Sequence, residues 1–162
     1  MPPFVPKDFE IPAGFETPDF RVRMLAISDV VKDYDAVMTS AEHLQGVFSP
    51  NGTWPRGLTF EQDLIDLGWH QKEFQTRRSF AYTVMSLDEA LCLGCLYIYP
   101  TTLRGYDAEV YGWIRASHAD ALDARFYDAL RGWIETRWPF KAVAYPGRGL
   151  TWAAVSALRP GA

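Results

Sequence analysis

Hydrophobic and polar positions alternate most clearly between Leu91 and Ser117, LCLGCLYIYPTTLRGYDAEVYGWIRAS. β-Branched and aromatic residues on either side of a loop around Pro100 and Gly105 predict two long strands joined as a hairpin. A period of two puts Glu109, Tyr111, Trp113 and Arg115 on one face of the second strand, and Val110, Gly112 and Ile114 on the other. Upstream, Phe20 to Ile27 alternates as a first strand. Ser28 and Asp29 then offer an N-cap for a helix through about Ala41, with Val30, Tyr34, Val37 and Met38 on its apolar face. Thr59 and Gln62 form a capping box for a helix to about Arg77, striped by Phe60, Leu64, Leu67 and Phe74. Ser79 to Ser86 is a further strand, with Phe80, Tyr82 and Val84 on one side. Beyond the hairpin, Leu122, Phe126, Leu130, Trp133 and Ile134 recur at helical spacing and predict a helix over 119–137. Ser117 and Asp120 supply its capping box, and Pro139 ends it. Phe140 to Tyr145 reads as a fifth strand, and so long a connection permits a parallel crossover. The apolar tail from Leu150 to Leu158 fits one helix or one strand.

Proline changes the reading of the first 19 residues. Pro2, Pro3, Pro6, Pro12 and Pro18 alternate with Phe4, Phe9 and Phe15. They predict an extended arm without regular structure that lays its phenylalanines on the body. Residues 20–162 form a single domain. A chain of 162 residues with 48% hydrophobic and 15% aromatic content can bury a substantial core. With 16 Lys+Arg against 20 Asp+Glu and no basic run, nucleic acid is not an expected partner. No apolar run approaches the roughly 18 residues that span a bilayer, so no membrane association is expected. The N-terminus lacks the basic start and apolar segment of a secretory leader, which makes the cytoplasm the expected location and empties the Asn51–Thr53 sequon of meaning. Cys92 and Cys95 stand three apart. In a regular strand that spacing points them to opposite faces, so they are expected to be two small core residues, with no metal site.

The order β-α-α-β-β-β-α-β, an α/β arrangement of the α+β type with helices on both sheet faces, resembles the GNAT superfamily of N-acetyltransferases. The resemblance covers roughly residues 20 to 146 and centres on AEVYGWIRAS and ALDARFYDALRGWI. It implies a mostly antiparallel sheet whose last two strands splay apart, with the pantetheine of acetyl-CoA paired to the exposed backbone. It also implies a pyrophosphate loop of pattern Q/R-x-x-G-x-G/A at the following helix. Arg115 matches the first position of that loop, whereas His118 and Asp120 stand at the glycine positions. The cofactor residues so implied are Trp113, Ile114, Arg115, Ser117, His118, Ala119 and Asp120.

Acetyl transfer to an amine needs a base for the amine proton and an acid for the leaving thiolate. Glu109 is the candidate base and Tyr145 the candidate acid; a salt-bridged glutamate and a packed tyrosine are the plainer alternatives. Tyr82, Tyr97, Tyr99 and Tyr111 are candidates to line a pocket for a small-molecule or peptide amine, or else belong to the core. Arg148 offers an anion contact or an ion pair, while His43 and His70 read as surface residues on amphipathic helices. The alternative to an enzyme is a GNAT-shaped binding module that has lost CoA, and a homodimer built on exposed aromatics is a further reading.

Overall fold

In the computed structural model, residues 2–161 are described. Six strands form one sheet in sequence order: β1 (Gly14–Glu16), β2 (Arg21–Met24), β3 (Phe80–Met85), β4 (Cys92–Pro100), β5 (Ala108–Ile114) and β6 (Val143–Ala144). β1 to β5 are successively antiparallel, and β6 runs parallel to β5. The helices are α1 (Val30–Met38), α2 (Ala41–Leu44), α3 (Phe60–Gln75), α4 (Ala116–Arg137) and α5 (Trp152–Leu158). The predicted mixed sheet, its hairpin and the parallel crossover are all present. Among the described residues no helix is long and apolar enough to cross a membrane.

The two faces of the sheet carry separate cores. Leu122, Phe126 and Leu130 of α4 pack with Tyr82, Leu96, Val110 and Ile114. On the opposite face Ala36 and Val37 of α1 and Leu67 of α3 pack with Cys95, Tyr97 and Trp113. A Cβ on Gly112 would lie 2.9 Å from the Phe126 ring, so the glycine lets α4 seat closely on β5.

Several expected boundaries shift for physical reasons. The arm is not wholly irregular, because Gly14–Glu16 adds an edge strand to β2. As expected it lays phenylalanines on the body, Phe4 stacking between Phe80 and Phe140. Its backbone is tied down by Arg77 donating to the Pro6 and Phe9 carbonyls, and by the Tyr82 hydroxyl donating to the Pro12 carbonyl. The helix expected from Asp29 to Ala41 is a 3₁₀ turn (Ile27–Asp29) followed by α1 and α2. Asp29 does not cap it with its side chain; that carboxylate binds Arg23 and the Ala26 amide. α3 has its Thr59–Gln62 capping box, and Leu64, Leu67 and Phe74 of its expected stripe pack on the cores, but Phe60 is exposed and Asp63 is buried. β6 is shorter than the expected strand because the Asp107 carboxylate, not a sheet partner, accepts from the Lys141 and Ala142 amides. The tail forms α5, capped by Thr151.

Candidate functional site

β5 and β6 share only two register pairs, Ala108 with Val143 and Glu109 with Ala144. The chain then leaves the sheet in a turn closed by Arg148 N to Tyr145 O (3.0 Å) and Gly147 N to Leu150 O (2.8 Å). Further along β5, side chains rather than a strand meet the backbone. Arg148 Nη2 donates to the Gly112 carbonyl at 3.0 Å, and His43 Nε2 lies 3.2 Å from the Ile114 carbonyl. A carbonyl can only accept, so His43 carries a proton on Nε2. Arg148 is fixed in turn by both oxygens of Asp123 and lies over the Tyr127 ring at 4.9 Å. It lines two cavities. One of about 400 Å³ includes His43, Trp113, Ile114, Ala119 and Asp120; one of about 250 Å³ includes Tyr111, Gly112 and Trp152.

The start of α4 differs from the expected loop. The helix begins at Ala116, so Ser117, His118, Ala119 and Asp120 are already helical and the Ser117–Asp120 capping box does not form. Ser40 Oγ, from the break between α1 and α2, accepts from the Ala116 amide at 2.9 Å. The Arg115 amide bonds Leu93 O and the His118 amide bonds Arg115 O. Most of the donors that a helix N-terminus offers to an anion are therefore used within the chain. The Arg115 side chain is buried and points inward, donating to Cys92 O, Asp35 and Thr39. Ser117 Oγ and His118 Nδ1 bond one another at 2.9 Å on the surface.

The remaining sequence candidates fall in three places. Glu109 is buried with both oxygens engaged: Arg159 Nη1 and Nη2 donate at 3.0 and 2.8 Å, Thr101 at 2.7 Å and Tyr111 at 2.9 Å. Burial pushes its pKa up, but these donors outweigh burial and hold it below the usual carboxylate range. Tyr145 packs on Tyr127 and faces a separate groove with Arg131 and Lys141. Tyr82 belongs to the α4 side of the sheet, opposite Tyr97, Tyr99 and Tyr111. It cannot share a pocket with them, since β3 and β4 pair Tyr82 with Leu96 rather than with a tyrosine.

No protein-family profile matches the sequence, and no curated protein does. Solved structures do match the fold. The ribosomal-protein-S5-alanine acetyltransferase from Vibrio fischeri superposes with TM-score 0.53 at 18% identity, over 76% of this chain and 67% of that one. The Salmonella typhimurium acetyltransferase that modifies the N-terminal serine of ribosomal protein L7/L12 gives 0.57 at 14%, over 79% and 69%. The microcin C7 self-immunity acetyltransferase MccE, in complex with acetyl-CoA and AMP, gives 0.60 at 10%, over 77% and 66%. All are GNAT acetyltransferases. The chain has the GNAT fold.

On the α1 and α3 side of this GNAT sheet, acids that the sequence did not flag meet two of the tyrosines that it did. Asp33, Asp63, Asp66 and His70 converge with Tyr97, Tyr99, Phe48 and Trp54 on a cavity of about 140 Å³. The Asp33 and Asp63 carboxyls hydrogen-bond one another and are both buried. Burial lifts both, helped at Asp33 by Cys92 and at Asp63 by the charge of Asp33, and the pair titrates at about 7 and about 8. His70, expected on the surface, packs against the Tyr97 ring, and burial lowers its pKa to about 4. Cys95 Sγ contacts Asp33 Oδ1 at 3.2 Å. The two cysteines do not point to opposite faces. Met85 pairs with Cys92 and Val84 with Gly94, so Leu93 is an extra residue in β4, and this bulge turns Cys92 to the Cys95 side. The two Sγ atoms and an Asp33 oxygen lie within 4.8 Å of one another.

Proposed function

We propose that the protein is an acyl-CoA-dependent N-acetyltransferase that lays its thioester donor along the open edge of β5 and passes the acyl group to an amine. The observation that carries this reading is the parting of β5 from β6. It leaves the Gly112 and Ile114 carbonyls bonded by two side chains beside cavities of about 400 and 250 Å³. An extended pantetheine arm carries amide N–H groups that suit such an edge once Arg148 and His43 turn aside. Trp113, Ile114, Ala119 and Asp120 would then border the arm. The diphosphate end fits poorly, because the first turn of α4 has no glycine-lined cradle and most of its amides are bonded within the chain.

The donor supplies an activated acyl carbon, and the residues of the chain orient it. Tyr111 and Trp113 form an aromatic floor beside the edge. Glu109 acts as base in this reading only when Arg159 leaves it. Tyr145 serves as acid only if the donor's sulfur reaches the far side of the Tyr145–Leu150 turn. Calorimetric titration with acetyl-CoA tests the proposal. Binding tighter than about 1 mM, near −4 kcal/mol, followed by thiol release with an amine is expected. No heat at that concentration overturns it. The closed first turn of α4 favours a second reading, a GNAT-fold binding module without CoA, and that is the outcome a silent titration would select.

A further inference from the structure

The cavity between α1, α3 and β4 combines buried acids with aromatic walls. It holds carboxylates with no cation: Asp33 and Asp63 are 4% and 3% exposed, Asp66 borders them, and no lysine or arginine lines the space. Asp63 Oδ2 and His70 Nδ1 are buried with no hydrogen-bond partner. The acid pair is neutralised only by the protons it holds, and a positive group entering from outside would take their place. The other walls are aromatic. Tyr97 and Tyr99 stack at 6.0 Å with their planes 4° apart, Phe48 meets Tyr97 edge-on at 5.3 Å, and Trp54 meets Phe48 at 5.1 Å.

We propose that this cavity binds a small organic cation, a primary ammonium on a short apolar chain, whose N–H groups bond the Asp63 and Asp33 carboxylates while Tyr97, Tyr99, Phe48 and Trp54 enclose it. Carboxylates give an ammonium charge-assisted hydrogen bonds, and aromatic faces attract the same charge through their quadrupoles. The volume of about 140 Å³ is equivalent to roughly five molecules of liquid water, which suits a head group with a few carbons and excludes a bulky one. A metal is the less apt occupant. Among the described residues the group close enough to share one is Asp33, Cys92 and Cys95, and its thiols do not border the cavity. The site does not depend on CoA, and binding measured without acetyl-CoA separates it from the proposed acetyl transfer.

The groups facing the acid pair are Asp29 beside α1, Asp66 and His70 on α3, and Cys92, Cys95, Tyr97 and Tyr99 on β4. None is a competing cation while His70 is neutral. The proton shared by Asp33 and Asp63 therefore leaves as the ammonium enters. The test titrates the isotopically labelled full chain with n-butylammonium, with n-butanol and with zinc chloride, following backbone amide shifts. Saturable shifts at Asp63, His70 and Tyr97 with n-butylammonium and none with n-butanol are expected. Calorimetry in buffers of different ionisation enthalpy should report proton release on binding. Asp63→Asn should weaken binding about tenfold or more. Equal response to alcohol and ammonium, no saturation below about 100 mM, or unchanged affinity in a folded Asp63→Asn protein would each overturn the proposal. Saturation of the same residues by zinc with protection of both thiols would also overturn it, reassigning the site to a metal. The ammonium and alcohol comparison uses the unmodified chain, so the test survives a variant that fails to fold.

Discussion

At the scale of single residues, Glu109 explains how the C-terminal helix is fastened. Its carboxylate lies under the sheet edge, and Arg159, just beyond α5, reaches back to it with two nitrogens. Arg159 is 41% exposed at its side chain, so solvent screens the pair and its contribution is about 1–2 kcal/mol rather than that of a fully buried pair. The pair lowers the pKa of Glu109, so its stabilisation is present above the ordinary glutamate value and disappears as pH falls through the lowered one. Arg159→Ala should therefore lower the urea midpoint at pH 7 and change it much less at about pH 2, where even a lowered glutamate takes up its proton. A loss of equal size at both pH values would assign the effect to packing instead. The residue scale is also where the sequence was least legible. Spacing by two reads Cys92 and Cys95 apart, but one inserted residue, Leu93, reverses that, and the bulge is set by pairing with β3 rather than by anything in β4. Asp63 was hidden for a related reason. The expected stripe of α3 packs inward except at Phe60, and Asp63, a polar residue flanking that stripe, is buried with it.

At the scale of elements, the sequence read well wherever local chemistry decides the outcome. The hairpin alternation, the Thr59–Gln62 box and the apolar stripe of α4 are all local, and each element formed where they stand. The start of α4 was misjudged because its amide partner, Ser40, is 76 positions away. The proline-rich arm shows the same division. Proline removes backbone donors and predicts irregular chain, yet Gly14 to Glu16 pairs with β2 because β2 would otherwise present an open edge. The arm's hold on the body is testable at Val5, which is 1% exposed within the core under α4. Val5→Ala removes two methyl carbons and leaves a gap, a cost of about 2 kcal/mol. The melting temperature should fall by about 5 °C for a chain of this size. Pro3→Ala, at an exposed position of the same arm, should leave it within about 1 °C, equivalent to less than about 0.5 kcal/mol. Equal shifts would mean that the arm is held by its backbone bonds to Arg77 and Tyr82 alone.

For the molecule as a whole, the acid pair and His70 make stability depend on pH in a way that net charge does not foretell. Asp33 and Asp63 hold protons in the folded chain that an unfolded chain gives up near pH 4. Their contribution to stability is complete below that value and is lost as pH rises through about 7 and about 8. His70 works in the other direction. With its pKa lowered to about 4, it resists protonation, so its contribution is present above the ordinary histidine value and is lost as pH falls towards 4. Between about pH 4 and 6.5 the two effects oppose one another, and above 6.5 only the acid pair remains. Each proton then changes stability by about 1.4 kcal/mol per pH unit. Denaturant unfolding should accordingly show stability already falling below pH 6.5, where two carboxyls outweigh one histidine, and a further fall of about 2 kcal/mol from pH 6.5 to 8. In Asp63→Asn one of the two titrating carboxyls is gone and only Asp33, still lifted by burial and by Cys92, loses its proton, so the fall should shrink to about 1 kcal/mol or less. An n-butylammonium ion in the cavity should do the same to the unmodified chain, since it replaces the shared proton by a permanent positive charge. Stability that stays level from pH 6.5 to 8 in the free protein would mean that the carboxyls ionise without resistance, and would leave the cavity without the electrostatic reason for drawing in a cation.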